Sequence, residues 1–160
     1  MSSTGTISIR EASVDDIPEI LRLYAQPGYD DGKVLDEAAA RAIFLSMADY
    51  PFYRAYLAST AEGAAGIYML LVMHNLGHLG ARSAIVEGVA VDPALHGRGI
   101  GRAMMHHACG QAAAQGCYKL ALSSNLKRAD AHAFYDSLGF RRHGLSFVVE
   151  TDAAGKDAAA

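Results

Sequence analysis

From Val86 to Met105 the chain reads Val-Glu-Gly-Val-Ala-Val-Asp-Pro-Ala-Leu-His-Gly-Arg-Gly-Ile-Gly-Arg-Ala-Met-Met. An apolar strand pattern stops at Asp92-Pro93, a glycine-rich turn follows, and a helix begins inside that turn. The first N–H groups of a helix have no acceptor within it. Together with the helix dipole and the N–H groups of the turn, they form a socket for a phosphate-type anion. Gly97, Gly99 and Gly101 carry no Cβ, so a ligand can approach the main chain closely. His96 and Ile100 lie within the same turn, and Arg98 and Arg102 add positive charge. The natural occupant is a cofactor that bears a pyrophosphate. Two familiar phosphate loops do not fit. A P-loop ends in Gly-Lys-Ser/Thr, whereas this turn ends in Gly-Arg-Ala. The dinucleotide fingerprint is G-x-G-x-x-G, whereas these glycines fall as G-x-G-x-G.

Glu87 is the one charged residue between Ser83 and Val91. A carboxylate on a half-buried strand is costly unless it is paired or solvated. It is either a base, acting directly or through water, or a residue at the wet rim of the sheet. A second constellation runs from Asn125 to Phe140: Asn-Leu-Lys-Arg-Ala-Asp-Ala-His-Ala-Phe-Tyr-Asp-Ser-Leu-Gly-Phe. By position alone, Tyr135 is an aromatic on a helix face, Asn125 a turn former and Arg128 a solvated arginine at a helix start. His74, His78, His106, His107, His132 and His143 show no tight ligand pattern with a cysteine or carboxylate, so no metal is expected. His74 and His78 flank the loop ahead of the Glu87 strand, where an acceptor molecule can be touched.

The turn at His96–Gly101 resembles motif A of the GCN5-related N-acetyltransferases, Gln/Arg-x-x-Gly-x-Gly/Ala. It matches at Gly99 and Gly101 and departs at His96. The second stretch resembles motif B of the same family, with Tyr135, Gly139 and Phe140 in register. Ile9-Arg10-Glu11-Ala12 followed by Asp15-Asp16 is similar to the family's opening. The resemblance implies acetyl-CoA as cosubstrate, with its pyrophosphate on the main chain of His96 to Arg102. It implies main-chain pairing of the pantetheine arm with Val89, Ala90 and Val91, and a further bond from Asn125. Tyr135 is then the acid that protonates the departing thiolate, Glu87 the base, and His74 and Arg128 contacts for the acceptor. Within the family, Ile85–Val89 and Gly116-Cys117-Tyr118-Lys119 are similar to glucosamine-6-phosphate N-acetyltransferases, although Gly88 stands where those carry aspartate. Asn125-x-Lys127-Arg128-x-Asp130-Ala131-His132-x-Phe134-Tyr135 is similar to aminoalkylphosphonate N-acetyltransferases. Both point to a small-molecule primary amine as acceptor. Two other readings are an acetyltransferase for protein N-termini or lysines, and a non-catalytic acyl-CoA-binding sensor.

These residues need elements to hold them. The chain has 160 residues, 51% of them hydrophobic, enough for one core. The expectation is a single acetyltransferase domain over 1–152 with a frayed tail over 153–160. A net charge of −3 excludes a general nucleic-acid face. No apolar run reaches the ~18 residues of a membrane span, and no signal-peptide pattern opens the chain. A soluble, cytoplasmic protein is expected, with a homodimer among the assemblies it allows. Cys109 and Cys117 are expected to pack as small apolar groups. Periodicity predicts strands over 6–11, 54–60, 65–74, 83–91 and 117–123. It predicts helices after Asp16 and over 35–48, 99–115 and 127–138, and a closing hairpin of 140–142 with 145–150. The fold class is α/β (α+β): a mixed, mostly antiparallel central sheet flanked by helices on both faces, as in the family the motifs resemble.

Overall fold

The computed structural model describes residues 5–151, so the expected tail lies outside the described residues. The chain divides into two compact units, Met1–Leu122 and Ser123–Ala160. The first holds strands β1 (Ser8–Glu11), β2 (Tyr53–Thr60), β3 (Gly63–Met73), β4 (Arg82–Val91) and β5 (Cys117–Ala121), with helices α1 (Ile17–Tyr24), α2 (Glu37–Ser46) and α3 (Ile100–Ala114). The sheet order is β1-β2-β3-β4-β5. All neighbours are antiparallel except β4 and β5, which run parallel across the α3 connection. Such a connection needs a crossover of helix length, because parallel neighbours cannot be joined by a tight turn.

Side-chain alternation along β2 and β3 builds two layers. Ala55, Leu57 and Ile67 meet Ile17, Ile20 and Leu23 of α1, Ala40 of α2, and Met47 in one apolar core. On the other face, Tyr56 and Tyr68 stack with ring centroids 5.2 Å apart. Tyr68 shares a 2.7 Å hydrogen bond with His107 Nδ1, and Tyr56 donates to Gln111 Oε1 at 3.3 Å. These bonds let two large aromatics enter the core beneath α3 without stranding their hydroxyls. Gly66 sets how closely α3 approaches: a Cβ there would lie 2.6 Å from Met104 Sδ and 3.2 Å from the Ala90 carbonyl. Helices thus cover both faces of the sheet, as expected.

α1 starts where Asp16 gathers donors. Its carboxylate accepts from the Ser13 N–H at 2.7 Å and from the Arg10 guanidinium at 2.7 and 2.8 Å. At the far end of α1, Arg22 reaches Asp92 at 2.8 Å and the Ala64 carbonyl at 2.7 Å. The helix is thereby tied to the point where β4 gives way to the glycine turn.

The second unit carries α4 (Ala129–Ser137), closed by Gly139 at φ +85° and by the Phe140 N–H on the Tyr135 carbonyl at 3.1 Å. The hairpin predicted over 140–142 and 145–150 does not form: residues 141–151 take neither strand nor helix. Its first arm is committed elsewhere. The Phe140 N–H belongs to the end of α4, and the Arg142 side chain turns back to Asp136 on that helix at 2.7 Å. Hairpin arms need each other's N–H and C=O groups, and without a first arm Leu145, Phe147, Val148 and Val149 stay exposed. The cysteines also depart from expectation: Cys109 is exposed and Cys117 half-buried. The buried stripe of α3 is Ile100, Met104, Met105, Ala108 and Ala112, and Cys109 lies about 100° round from Ala108. Among the described residues, no helix is long and apolar enough to cross a membrane.

Candidate active site

The glycine turn has the geometry that an anion needs. Gly97 and Gly99 take φ of +77° and +82°, and nothing lies within 4 Å of where a Cβ would stand on either. Both glycines are therefore required by backbone conformation, and both open onto unfilled space. Gly99 is the N-cap of α3, and the Ala103 N–H to Gly99 carbonyl bond is 3.0 Å. The N–H groups ahead of Ala103, including those of Ile100, Gly101 and Arg102, have no acceptor inside the helix. Such unpartnered N–H groups at a helix start form a cradle where a phosphate-type anion can bind. The side chains share the work unequally. Arg98 is paired with Glu62 at 2.7 Å, which pins the loop to the β2–β3 turn. The His96 ring turns back to the Val91 carbonyl at 3.2 Å. Arg102 is exposed on the first turn of α3.

β4 presents a free backbone edge leading into that cradle. On one side Ala90 and Val91 pair with Ile67 and Gly66 of β3. On the other side, pairing with β5 ends at Ile85–Ala121. Among the described residues, β4 has no strand partner on its β5 side from Val86 to Val91, and an extended ligand can take a strand's place there.

Glu87 projects to the α1 side of this strand, beside an irregularity. Ile67 pairs with Ala90 and Met69 with Glu87, so β4 carries one residue more than β3 across this step. Gly88, in the bulge, has φ +59°, and its carbonyl accepts a 2.8 Å hydrogen bond from the Tyr24 hydroxyl. Tyr29 lies against Tyr24 with ring centroids 4.7 Å apart. The loop after α1 puts it there by folding back on the helix: Asp30 N–H bonds the Tyr24 carbonyl at 3.0 Å and Gly32 N–H the Ala25 carbonyl at 2.7 Å. Tyr53 points its hydroxyl at Met69 Sδ, 3.5 Å away, and Met69 is the cross-strand partner of Glu87. Burial raises the pKa of all three phenols, and nearby carboxylates add to it: Asp30 for Tyr24, Asp30 and Glu87 for Tyr29, Glu87 for Tyr53. All three therefore stay neutral. The sequence singled out Glu87 but missed this tyrosine wall. A signal was present, since six of the eight tyrosines fall between Tyr24 and Tyr68. His74 is not brought to Glu87: it lies five residues beyond Met69, about 17 Å along the strand.

In the second unit, Tyr135 is set between Phe134 and Phe140, edge to face, with centroids at 5.1 and 5.6 Å. Burial raises its pKa and the charge of Arg128 partly offsets this, so the phenol keeps its proton at neutral pH. Asn125 forms a turn: its Oδ1 accepts from the Lys127 N–H at 2.9 Å and its carbonyl from the Arg128 N–H at 3.0 Å. Arg128 is the N-cap residue of α4 and is exposed.

Three comparisons with known proteins bear on this arrangement. The sequence model of the acetyltransferase (GNAT) family matches residues 14–140. A putative acetyltransferase from Agrobacterium tumefaciens superposes with a TM-score of 0.82 at 30% identity, over 90% of this chain and 99% of that one. Glucosamine-6-phosphate N-acetyltransferase from Arabidopsis thaliana shares the fold, with a TM-score of 0.75 at 16% identity over 92% of this chain and 99% of that one. A curated glucosamine 6-phosphate N-acetyltransferase from Trypanosoma brucei brucei is 41% identical over 58 residues. That match spans 36% of this chain and 37% of that protein.

Proposed function

Because the chain belongs to the acetyltransferase (GNAT) family, we propose that it transfers the acetyl group of acetyl-CoA directly to a primary amine of a small molecule. The observation that carries this reading is the free edge of β4 from Val86 to Val91 running into the glycine cradle at Gly97–Arg102. An extended arm ending in a diphosphate is the ligand those two features suit together. In this reading the N–H groups of the cradle hold the diphosphate, and the main chain of Val89, Ala90 and Val91 holds the pantetheine amides.

Acetyl transfer then makes three demands on the protein. The acceptor ammonium must lose a proton, since only the neutral amine has a lone pair to attack with. Glu87 accepts that proton, directly or through water. The amine and the thioester must be held together, which supplies much of the acceleration. As the new C–N bond forms and the C–S bond breaks, the leaving thiolate must receive a proton. Tyr135 provides it, a role it takes on the strength of its motif and of a raised pKa that keeps it protonated. The resemblance that implies this role also suggests that Asn125 helps hold pantetheine. The turn bond to Lys127 leaves the Asn125 amide N–H groups for that purpose.

Calorimetry with coenzyme A, together with a thiol-release assay on a panel of small amines, tests the reading. Binding in the micromolar range and thiol release that depends on an amine are expected. Absence of coenzyme A binding refutes it.

A further inference from the structure

The wall around Glu87 carries information about the acceptor. Three phenol rings, from α1, from the loop after it and from β2, gather on the face of the sheet where the Glu87 carboxylate lies. Tyr29 is the most open of them, with 43% of its surface exposed. Two of the three hydroxyls are committed within the protein, Tyr24 to the Gly88 carbonyl and Tyr53 to Met69 Sδ. Beside Glu87 the three tyrosines thus offer ring surface and one uncommitted hydroxyl, that of the exposed Tyr29. Such a lining suits an alkylammonium group, which is drawn to the faces of electron-rich rings and to the carboxylate.

The same surroundings are unsuited to a phosphate. The Asp30 and Glu87 carboxylates act on the rings, and a dianion would be repelled by both. Of the seven arginines of this unit, Arg102 stands on the first turn of α3 and Arg82 bonds the Gln115 carbonyl at 3.4 Å. The other five, Arg10, Arg22, Arg41, Arg54 and Arg98, are paired with carboxylates.

We infer that the acceptor is a cationic amine with an apolar or aromatic body and no phosphate, bound with its ammonium between Glu87 and the rings of Tyr24, Tyr29 and Tyr53. This rests on the acetyltransferase reading above and narrows its substrate class. It sets the chain apart in specificity from the curated relative, which is named for a phosphorylated amino sugar.

The test uses amines matched except for the phosphate: tyramine against its O-phosphate, and glucosamine against glucosamine 6-phosphate, with acetyl-CoA and release of free thiol as the signal. Each unphosphorylated amine is expected to have a kcat/KM at least tenfold above its phosphate, and tyramine to exceed glucosamine. Tyr29→Ala should raise KM for tyramine roughly 2- to 30-fold, the range that one cation–ring contact carries, with the Kd for coenzyme A unchanged. Glu87→Gln should narrow the gap between tyramine and its phosphate, an effect that a purely structural glutamate would not have. Equal or better use of the phosphorylated amines, with coenzyme A bound normally, overturns the inference and leaves the acetyltransferase reading standing. Failure to bind coenzyme A takes down both.

Discussion

Gly88→Ala is a demanding test of the geometry around Glu87, because two separate costs meet at one atom. The residue sits at φ +59°, and an L-residue in the left-handed region costs about 1–2 kcal/mol. The new Cβ would also stand 2.6 Å from the Tyr24 hydroxyl. That hydroxyl is the end of a side chain, but its ring is held against Tyr29 and its proton against the Gly88 carbonyl. Moving it breaks a hydrogen bond worth about 1 kcal/mol and strands a half-buried polar group. The sum is roughly 2–3 kcal/mol. For a chain of this length, that is a fall in Tm of about 4–12 °C. A double-mutant cycle separates the terms. Tyr24→Phe alone should cost about 1 kcal/mol, and in that background Gly88→Ala should cost only the backbone strain. Urea denaturation of the four proteins gives all the terms. Wild-type stability for Gly88→Ala, or an equal cost with and without the Tyr24 hydroxyl, would refute the reasoning.

Four further outcomes are expected. Gly99→Val puts a β-branched residue at φ +82° over the cradle, and coenzyme A affinity by calorimetry should fall at least tenfold with the fold retained by circular dichroism. Tyr135→Phe keeps the ring between its two phenylalanines and removes the proton donor, so kcat should fall about 10²–10⁴-fold with little change in coenzyme A binding; an unimpaired variant returns Tyr135 to packing. Glu87→Gln should lower kcat/KM for the amine at neutral pH, with the deficit shrinking as pH nears the amine's own pKa, because the free base then needs no proton acceptor. Arg10 and the Ser13 N–H hold the Asp16 carboxyl down at about 2. The ionised form is the stabilising one, so its contribution is full above pH ~4 and is lost as pH falls toward ~2. Arg10 is 57% exposed, which screens the pair, so Asp16→Asn should cost on the order of 1 kcal/mol at pH 7 and nearly nothing at pH 2 in urea titrations.

The parts of this fold that could be read from the sequence are those whose signal is local. The strand ending at Asp92-Pro93, the glycine turn after it and the helix that begins inside that turn each follow from propensity, backbone freedom or a period of 3.6. The stretch that misled is the one in which local pattern and long-range pairing part company. Leu145, Phe147 and Val149 alternate as a strand should, yet alternation says only which side chains share a face. It does not supply the neighbouring backbone, and here the Phe140 N–H is already bound to the end of α4.

The candidate site divides along the same line. The phosphate cradle was visible because its parts are consecutive. On the candidate acceptor side the sequence offered Glu87, His74 and Arg128, whereas the tyrosine wall comes from positions 24, 29 and 53, and no spacing rule joins a tyrosine on α1 to a bulge 64 residues later. Gly88 shows why the link matters. The resemblance to amino-sugar enzymes places an aspartate there, and sequence alone makes the glycine a bare substitution. In the structure the space a side chain would need is taken by the Tyr24 hydroxyl, and the freed carbonyl is its acceptor. The glycine and the phenol are thus two halves of one arrangement, built from β4 and α1. Beside Glu87 this chain therefore presents a phenol ring where a side chain on residue 88 would otherwise stand, which is the surface expected if the acceptor's body is apolar and carries its charge on the amine alone.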